Sequence, residues 1–280
     1  MGVESHGRDT MKRFESYIKE HMCHYKRDFL RVKEKGVYRY DGRVYNYCFI
    51  LPDEDKRKNI IQKYRHRFWN SSYALEETDG DFCHLDSAQA LCINFFYPLI
   101  DAGHLEDFIQ IIGMGNREIK YSNCFRRGEH FELDLDTGDG HLFFNVKYTG
   151  KSYGSLKDTE ENRKAYQEIY KPMLEKSDAI RDVYKEKKIF FKHYEIIRSL
   201  LRIEGEDSAV FMLPYENEML KSYIHIIEDI LRPNYLANLK IVYWEDIFTA
   251  LPESMISMYS EFILKYFPYL TYKVKRQILR

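Results

Sequence analysis

The sequence predicts an α/β or mixed α+β fold, on three observations. Helical and strand periodicities interleave along the chain, no Gly/Ser-rich linker or internal repeat divides it, and its composition is that of a globular protein. The 280 residues are 44% hydrophobic and 31% charged, which excludes intrinsic disorder and leaves enough apolar material for a core without structural staples. A net charge of −1 excludes a polycationic tail, but not a basic patch on one face.

The first 75 residues are predicted to form a helix-hairpin-helix extension. Asp41-Gly42 favours the type I′ turn of a hairpin, and Pro52 ends the segment that follows it. The predicted elements are a helix over about 9–36, strands at 37–40 and 43–50, and a charged helix over about 54–69.

The rest of the chain alternates helices and strands. Asp86-Ser87 is an N-cap pair for a mostly apolar helix at 88–96. Residues 131–136 alternate strictly between apolar and acidic, and the turn residues 137–140 join them to a second strand at 142–148. The other predicted elements are helices at about 105–112, 163–174, 189–202 and 216–231, strands at 209–213 and 239–244, and a helical tail.

Several classes of protein and site are disfavoured by absent motifs. No GxSxG elbow and no zinc-ligand spacing occur, and Gly113-Met-Gly115 lacks the third glycine of a dinucleotide loop. The five cysteines form no CxxC pair, no apolar signal segment opens the chain, and no apolar run approaches the ~18 residues of a membrane span. These features predict a reduced, cytoplasmic protein without a membrane partner.

The hairpin at 131–148 is the segment most informative about chemistry. Residues two apart share a strand face, so Glu132, Asp134 and Asp136 lie on one side, and Asn145 and Lys147 share a side of the partner strand. Carboxylates beside a lysine can bind a hard divalent cation, while the lysine holds or deprotonates a water, as phosphodiester hydrolysis requires. The same alternation is also typical of a half-solvated antiparallel strand.

Scattered blocks resemble a known superfamily. The segment LFFNVKYT at 142–149, preceded by FELD at 131–134, resembles the second and third core strands of the PD-(D/E)XK nucleases. A bacterial restriction-endonuclease-like branch of that superfamily is similar in four further blocks, which are HLDSAQALCINFF at 84–96, HYEIIR at 193–198, LPYEN at 213–217 and VYWED at 242–246. Together the blocks cover roughly residues 45–250.

This resemblance implies a restriction-endonuclease-like fold. Its core has the order αβββαβ, a mixed central sheet flanked by helices, with a first strand near 118–121. The implied domains are an N-terminal helix-hairpin-helix extension at 1–75, the core at 76–250, and a helical tail at 251–280 packed on the core.

The resemblance also implies roles for individual residues. Lys147 takes the place of the motif lysine, and Glu132 that of the acid which binds the metal, with Asp134 as the alternative. The motif acid two residues before the lysine is Asn145 here, which brings no negative charge. A further acid of the core corresponds to Glu118 or to one of Glu76 and Glu77.

A second departure suggests a replacement for the missing acid. Where the branch has a Tyr-Gln pair in the later helix, this chain has Tyr194-Glu195, so Glu195 is a candidate catalytic and metal-binding residue. In the opposing interpretation, Glu195 simply pairs with Arg198 or Lys192 on a helix surface, at about 0.3–0.5 kcal/mol.

Two other groups of residues are singled out by pattern. Lys63, Arg65 and Arg67 alternate with aromatic residues at helical spacing and form a candidate DNA-facing surface, although a solvated helix with Phe68 and Trp69 in the core fits the same pattern. Ser87, Gln89 and Asn94 match polar positions of the branch's first core helix, and we interpret them as a cap and buried amides. These residues have a structural role in that interpretation.

The sequence therefore predicts a Mg²⁺-dependent DNA endonuclease. Lys147, Glu132, Asn145 and Glu195 are its predicted catalytic residues, and Glu132, Asp134 and Glu195 its predicted metal ligands. A degenerate nuclease fold that binds nucleic acid or a protein partner without cleavage is the alternative, which the amide at 145 favours. A third interpretation is an interaction module with a merely solvated acidic hairpin. Many nucleases of this superfamily act as homodimers, but no segment of this chain indicates an interface.

Overall fold

The computed structural model describes residues 3–74, 80–122, 125 and 133–270 of the chain. Within them the protein is mixed α/β, as its alternating periodicities predict, with a five-stranded sheet and a separate two-stranded hairpin. The strands are β1 (Gly36–Tyr40), β2 (Arg43–Tyr47), β3 (Tyr121–Ser122), β4 (Leu133–Asp136), β5 (His141–Val146), β6 (Ser208–Leu213) and β7 (Leu239–Tyr243).

Helices surround this sheet. The α-helices of the described residues are α1 (Val3–His24), α2 (Gln62–Trp69), α3 (Ala88–Ala102), α4 (Leu105–Ile111), α5 (Glu160–Ala165), α6 (Lys171–Lys176), α7 (Lys187–Lys192), α8 (Tyr194–Leu200), α9 (Glu218–Lys221), α10 (Ile224–Ile230), α11 (Trp244–Ala250), α12 (Glu253–Ile256) and α13 (Ser260–Tyr266). Among them, none combines the length and the apolar character needed to cross a bilayer.

The central sheet has the strand order β3-β4-β5-β6-β7. The pairs β3–β4 and β4–β5 are antiparallel, whereas β5–β6 and β6–β7 are parallel. Parallel neighbours need a crossover connection, and helices α5 to α8 make the one between β5 and β6. This connection brings α8 against the sheet beside β5.

The sheet is buried on both faces. On one face, Leu135, Phe144 and Val210 belong to a core that also contains the apolar residues of α3, α1 and α13. On the other face, Ala209 and Phe211 belong to a second core with the apolar residues of α8 and α10. Such two-sided burial explains why β5 and β6 are almost continuous apolar runs.

Helix α3 begins and ends at residues with clear local signals. The Ser87 side chain accepts a hydrogen bond from the Ala90 N–H at 3.3 Å, which caps the helix. Gly103 ends it in the left-handed region with φ 70°, where a residue without Cβ is favoured. Between them every residue from Ala90 to Leu99 is buried, so α3 is the central helix of the larger core.

Three helices predicted as continuous are interrupted, and one of them, 216–231, divides into α9 and α10 at the turn 222–223. The predicted helix 54–69 is a 3₁₀ turn followed by α2, because the Ile61 N–H donates to Asn94 Oδ1 at 2.8 Å instead of to a helical carbonyl. The predicted helix 189–202 divides at His193, where φ −116° and ψ 29° end α7 and start α8. The break at His193 makes Glu195 a first-turn residue of a separate helix.

The N-terminal helix also ends earlier than its pattern predicts. Helix α1 stops at His24 and is followed by a π-helical turn at Tyr25–Phe29. The buried Lys26 then donates to the carbonyls of Glu34 and Ile50, the latter at 2.5 Å. Because these bonds join the chain on either side of the β1–β2 hairpin, they close the base of the hairpin.

The prediction of reduced cysteines is wrong for one pair. A disulfide joins Cys23, at the end of α1, to Cys48, just after β2. The odd number of cysteines and the absence of CxxC spacing gave no sign of it, because residues 25 positions apart meet only through the fold. The Cys83 thiol donates to Asp53 Oδ1 at 3.4 Å, and Cys92 is buried in α3.

Candidate active site

Lys147 directly follows β5, at the carboxyl end of a strand in the middle of the sheet. Its N–H donates to the Met212 carbonyl of β6 at 2.8 Å, and its own carbonyl accepts from the Trp244 indole Nε1 at 3.2 Å. Because both backbone polar groups of Lys147 are hydrogen-bonded, the position of its Cα at the end of the sheet is fixed.

The Lys147 ammonium meets the carboxylate of Glu195 from α8. Lys147 Nζ donates to Glu195 Oε1 in an ion pair, and Glu195 Oε2 accepts from the Gly154 N–H at 2.7 Å. The two side chains are only 17% and 19% exposed, so the pair is sheltered and yet reachable from solvent. Arg198, an alternative partner for Glu195, donates to the Tyr194 hydroxyl at 2.6 Å instead. Glu195 therefore pairs with Lys147, at the end of β5.

Opposing effects act on the pKa of Glu195. Burial alone would raise it, but the Lys147 ammonium, the Gly154 N–H and the positive charge of Arg198 together lower the pKa below its ordinary value. The carboxylate is therefore ionised at neutral pH, as a ligand for a cation needs to be.

Asn145 lies on the same face of β5, two residues before Lys147, and is fully buried. Its Nδ2 donates to Ser199 Oγ at 3.3 Å, and Ser199 Oγ donates to the Glu195 carbonyl at 2.9 Å. Since the Ser199 proton is used on that carbonyl, the hydroxyl can only accept from the amide of Asn145. This arrangement leaves Asn145 Oδ1 buried and without a hydrogen-bond partner among the described residues.

An orphaned buried acceptor costs about 1–3 kcal/mol, so its presence needs a reason. Asn145 Oδ1 is an amide oxygen, which is a ligand type that Mg²⁺ and Ca²⁺ accept. Among the predicted site residues that the structure describes here, Glu195 supplies an anionic oxygen and Asn145 a neutral one.

Asp134 is not part of this group. The register of β4 and β5 pairs it with Phe143, four residues before Lys147, which is about 13 Å away along the strand at ~3.3 Å per residue. Asp134 Oδ1 lies 2.9 Å from His141 Nδ1 instead. The hydrogen bond and the charge of Asp134 raise the pKa of His141 above its ordinary value, although burial opposes them.

Of the other sequence-predicted acids, the structure describes Glu118. Glu132, Glu76 and Glu77 lie outside the described residues. Glu118 is exposed on the segment before β3. Within the described ranges, no group of three or more His, Cys, Asp or Glu side chains could hold a metal ion.

The basic residues of α2 differ in their availability. Arg65 donates to the carbonyls of Ile60 and Lys58 at 2.9 and 3.1 Å. Its guanidinium therefore binds the protein's own backbone and is less available to a phosphate. Lys63 is exposed with Nζ 5.3 Å from the Tyr64 ring centroid. Arg67 is also exposed and forms an ion pair with Asp101. Phe68 is fully buried and Trp69 partly buried.

Of the polar residues of α3, Asn94 belongs to an internal network away from the Lys147–Glu195 pair. Besides accepting from Ile61, it donates from Nδ2 to the Asn59 carbonyl at 2.9 Å and to the Tyr266 hydroxyl at 2.8 Å. Gln89 is half-buried on the same helix. The contacts of Asn94 hold the segment before α2 and the end of α13 against α3.

Two residues at the site were not singled out from the sequence. Gly154 donates to Glu195, and a Cβ at its position would lie 3.1 Å from Glu195 Oε2. Ser199 orients Asn145. Its spacing of four residues from Glu195 on a helix could have indicated a shared face, whereas a glycine in a polar loop carries no such signal.

Comparison with known proteins identified one family. The family model described as "Restriction Endonuclease associating with ARP" matches residues 15–267. No curated protein and no solved structure matches the chain.

Proposed function

The chain belongs to this restriction endonuclease family, and from that membership we propose that it is a metal-dependent endonuclease that hydrolyses phosphodiester bonds of DNA. The observation that carries the proposal is the sheltered Lys147–Glu195 ion pair beside the unpaired, buried Oδ1 of Asn145. The family supplies the reaction class, and these three residues supply a site that can perform it.

In this proposal each residue has a distinct role. Lys147 orients the attacking water and stabilises the negative charge that develops on the phosphoryl oxygens. Glu195 holds the ammonium in place and supplies the negative charge that Asn145 lacks. Ser199 keeps the amide oxygen of Asn145 turned away from its own hydroxyl.

The residues present fit a hard cation in part. Glu195 and Asn145 Oδ1 are oxygen ligands of the kind that Mg²⁺ takes, and we propose Glu132, outside the described residues, as the second carboxylate. A bound Mg²⁺ would neutralise charge on the phosphoryl oxygens. Asp134 is bonded to His141, about 13 Å along the strand from Lys147, so we do not include it among the ligands.

Alanine variants of Lys147, Glu195 and Glu132 test the proposal. We expect Lys147→Ala to slow Mg²⁺-dependent cleavage of plasmid DNA by about 100-fold or more, since it removes a charge that stabilises the transition state. Lys151→Ala is the matched control, because Lys151 lies four residues after Lys147, is 66% exposed and pairs with Glu15. Circular dichroism and thermal melting of each variant separate loss of catalysis from loss of fold.

Three results would contradict parts of this proposal. If the wild-type protein cleaves neither strand at any Mg²⁺ concentration, the proposed activity is wrong. If Lys147→Ala and Lys151→Ala cleave equally well, the site is elsewhere. If Glu195→Ala retains the wild-type rate, Glu195 does not replace the missing acid.

A second candidate function is a nuclease fold that binds nucleic acid or a protein without cleaving. The amide at 145 favours it, because a neutral ligand binds a cation more weakly than a carboxylate does. The family description also names an association with ARP, which would suit a protein partner.

Asn145→Asp separates the two candidates. We expect an active enzyme to need less Mg²⁺ after this change, because a second negative charge joins Glu195. If the wild-type protein is inactive and the Asn145→Asp variant cleaves DNA, the wild type is a degenerate nuclease. Cleavage by the wild type that Asn145→Asp abolishes would show that the neutral amide, whose Nδ2 donates to Ser199 Oγ, is required.

A further inference from the structure

The β1–β2 hairpin carries four tyrosines on one face. The register pairs Tyr38 with Tyr45 and Tyr40 with Arg43, and paired residues of antiparallel strands share a face. Tyr47 follows Tyr45 by two residues, so it lies on that face as well. We call these four tyrosines, Tyr38, Tyr40, Tyr45 and Tyr47, the tyrosine face.

The rings of the tyrosine face are stacked and open to solvent at the ends. Tyr38 and Tyr40 have centroids 6.1 Å apart with planes 9° from parallel, and Tyr45 and Tyr47 have the same geometry. Tyr40 is 62% exposed and Tyr47 is 39% exposed. Large rings held parallel in water, rather than turned into the core, form a surface on which another flat ring can stack.

The base of the hairpin is held firmly. The Tyr38 ring meets His84 edge-on at 5.2 Å, and the Cys23–Cys48 disulfide and the Lys26 contact with Ile50 close the base. A Cβ on Gly36 would lie 2.4 Å from the Leu51 carbonyl oxygen, so glycine is required for this close approach. A rigid platform loses little conformational entropy when it binds a ligand.

The charge around the hairpin favours an anionic partner. Five basic residues precede or lie in it against two acidic ones, Glu34 and Asp41; the basic set is Arg31, Lys33, Lys35, Arg39 and Arg43. Arg43 lies on the tyrosine face, is exposed, and forms no ion pair with another residue in the described ranges. Arg39 is also exposed, but it pairs with Val44 and lies on the opposite face. Rings for bases and cations for phosphates are the combination that binds single-stranded nucleic acid.

The other face of the hairpin argues for the tyrosine face as the binding side. It carries Val37, Val44, Arg39 and Asn46, and none of these side chains offers a base an aromatic ring to stack on. Duplex DNA keeps its bases stacked on one another, so only unpaired nucleotides can stack on the tyrosines.

Helix α1 links the hairpin to the candidate active site. At one end, the Phe14 ring lies 6.3 Å from the ring of Tyr148, which follows Lys147, and at the other end Cys23 is bonded to Cys48. Nine residues at about 1.5 Å each separate these ends by roughly 14 Å along the helix axis.

We propose that the tyrosine face, with Arg43, binds a single-stranded segment of the nucleic acid that the active site acts on. This inference rests on the proposed function, since it assumes a nucleic-acid substrate, and it adds that the preferred substrate has unpaired nucleotides beside the cleavage site.

Binding of a fluorescein-labelled 15-nucleotide oligothymidine, measured by anisotropy without Mg²⁺, tests the proposal. We expect the double change Tyr40→Ala with Tyr47→Ala to weaken binding by about 10-fold or more, because each stacked base contributes to affinity. Val37→Thr with Val44→Thr is the matched control on the opposite face and should change the affinity less than twofold. Tyr40→Phe with Tyr47→Phe should retain binding, because the rings remain.

Unchanged affinity in the tyrosine-to-alanine variant would overturn the proposal, as would an equal loss in the valine control. A blunt duplex should bind the wild type and the alanine variant alike, and a selective loss of duplex binding would also overturn it. Cleavage without tyrosine-dependent binding would contradict only the hairpin's role. Tyrosine-dependent binding without cleavage would contradict only the endonuclease.

Discussion

Gly154 shows how closely the candidate site is built around Glu195. Its N–H is 2.7 Å from Glu195 Oε2, and the Glu195 N–H donates back to the Gly154 carbonyl at 3.1 Å. A Cβ at this position would lie 3.1 Å from Oε2. The carboxylate thus occupies space that any other residue at 154 would need.

We expect Gly154→Ala to lower cleavage by about tenfold, since it moves the carboxylate away from Lys147 by a few tenths of an ångström or more. Gly150→Ala is the control, because a Cβ there would come no closer than 3.9 Å to a backbone oxygen. Equal activities of the two variants, measured on plasmid DNA, would show that the position of Glu195 does not limit the rate.

At the scale of an element, the β4–β5 hairpin contains a pH-dependent contact. His141 pairs with Asp136 across the turn, and its ring contacts Asp134, two residues before Asp136. This contact raises the pKa of His141. A group whose pKa is higher in the folded state stabilises that state fully below its unfolded pKa, about 6.5, and loses the contribution as the pH rises through the folded value.

We therefore expect His141→Gln to destabilise the protein more at pH 5 than at pH 8. Urea unfolding of the wild type and the variant at both pH values measures the difference. Asp134→Asn removes the same contact from the other side and should give the same pH dependence. A wild-type-to-variant difference that is constant with pH would show that the contact does not contribute.

At the scale of the whole molecule, a buried lysine joins distant parts of the chain. Lys265 of α13 donates to both the carbonyl and Oδ1 of Asn59 at 2.5 Å, and Asn59 Nδ2 donates to the carbonyls of Phe82 and His84 at 2.5 and 2.7 Å. Burial lowers the pKa of Lys265 well below its ordinary value. The N-terminal segment and the C-terminal helices therefore share one core with the sheet.

We expect Lys265→Ala to lower the free energy of unfolding by about 3 kcal/mol, because it leaves buried acceptors with fewer partners and opens a cavity. Lys164→Ala, at a side chain that is 73% exposed, should change the free energy by less than about 0.5 kcal/mol. Urea denaturation measures both, and similar values would show that the network does not hold the ends of the chain to the core.

The sequence by itself determined the mixed α/β class, the apolar helix after Ser87, the turn at Asp41-Gly42 and the strand that contains Asn145 and directly precedes Lys147. Each of these follows from the chemistry of neighbouring residues, because strand and helix periods and turn preferences are local properties. For the same reason the boundaries at Ile61 and His193 were missed, since a side chain from elsewhere or a local kink interrupts an otherwise helical pattern.

Only the tertiary structure decided which acid meets Lys147. Asp134 shares a hairpin with the lysine and was a sequence candidate, yet the register places it about 13 Å along the strand. Glu195 reaches Lys147 from 48 residues away, because the crossover to β6 packs α8 beside β5. The same holds for Cys23 and Cys48, since contact between residues far apart in sequence depends on how elements pack and not on local spacing.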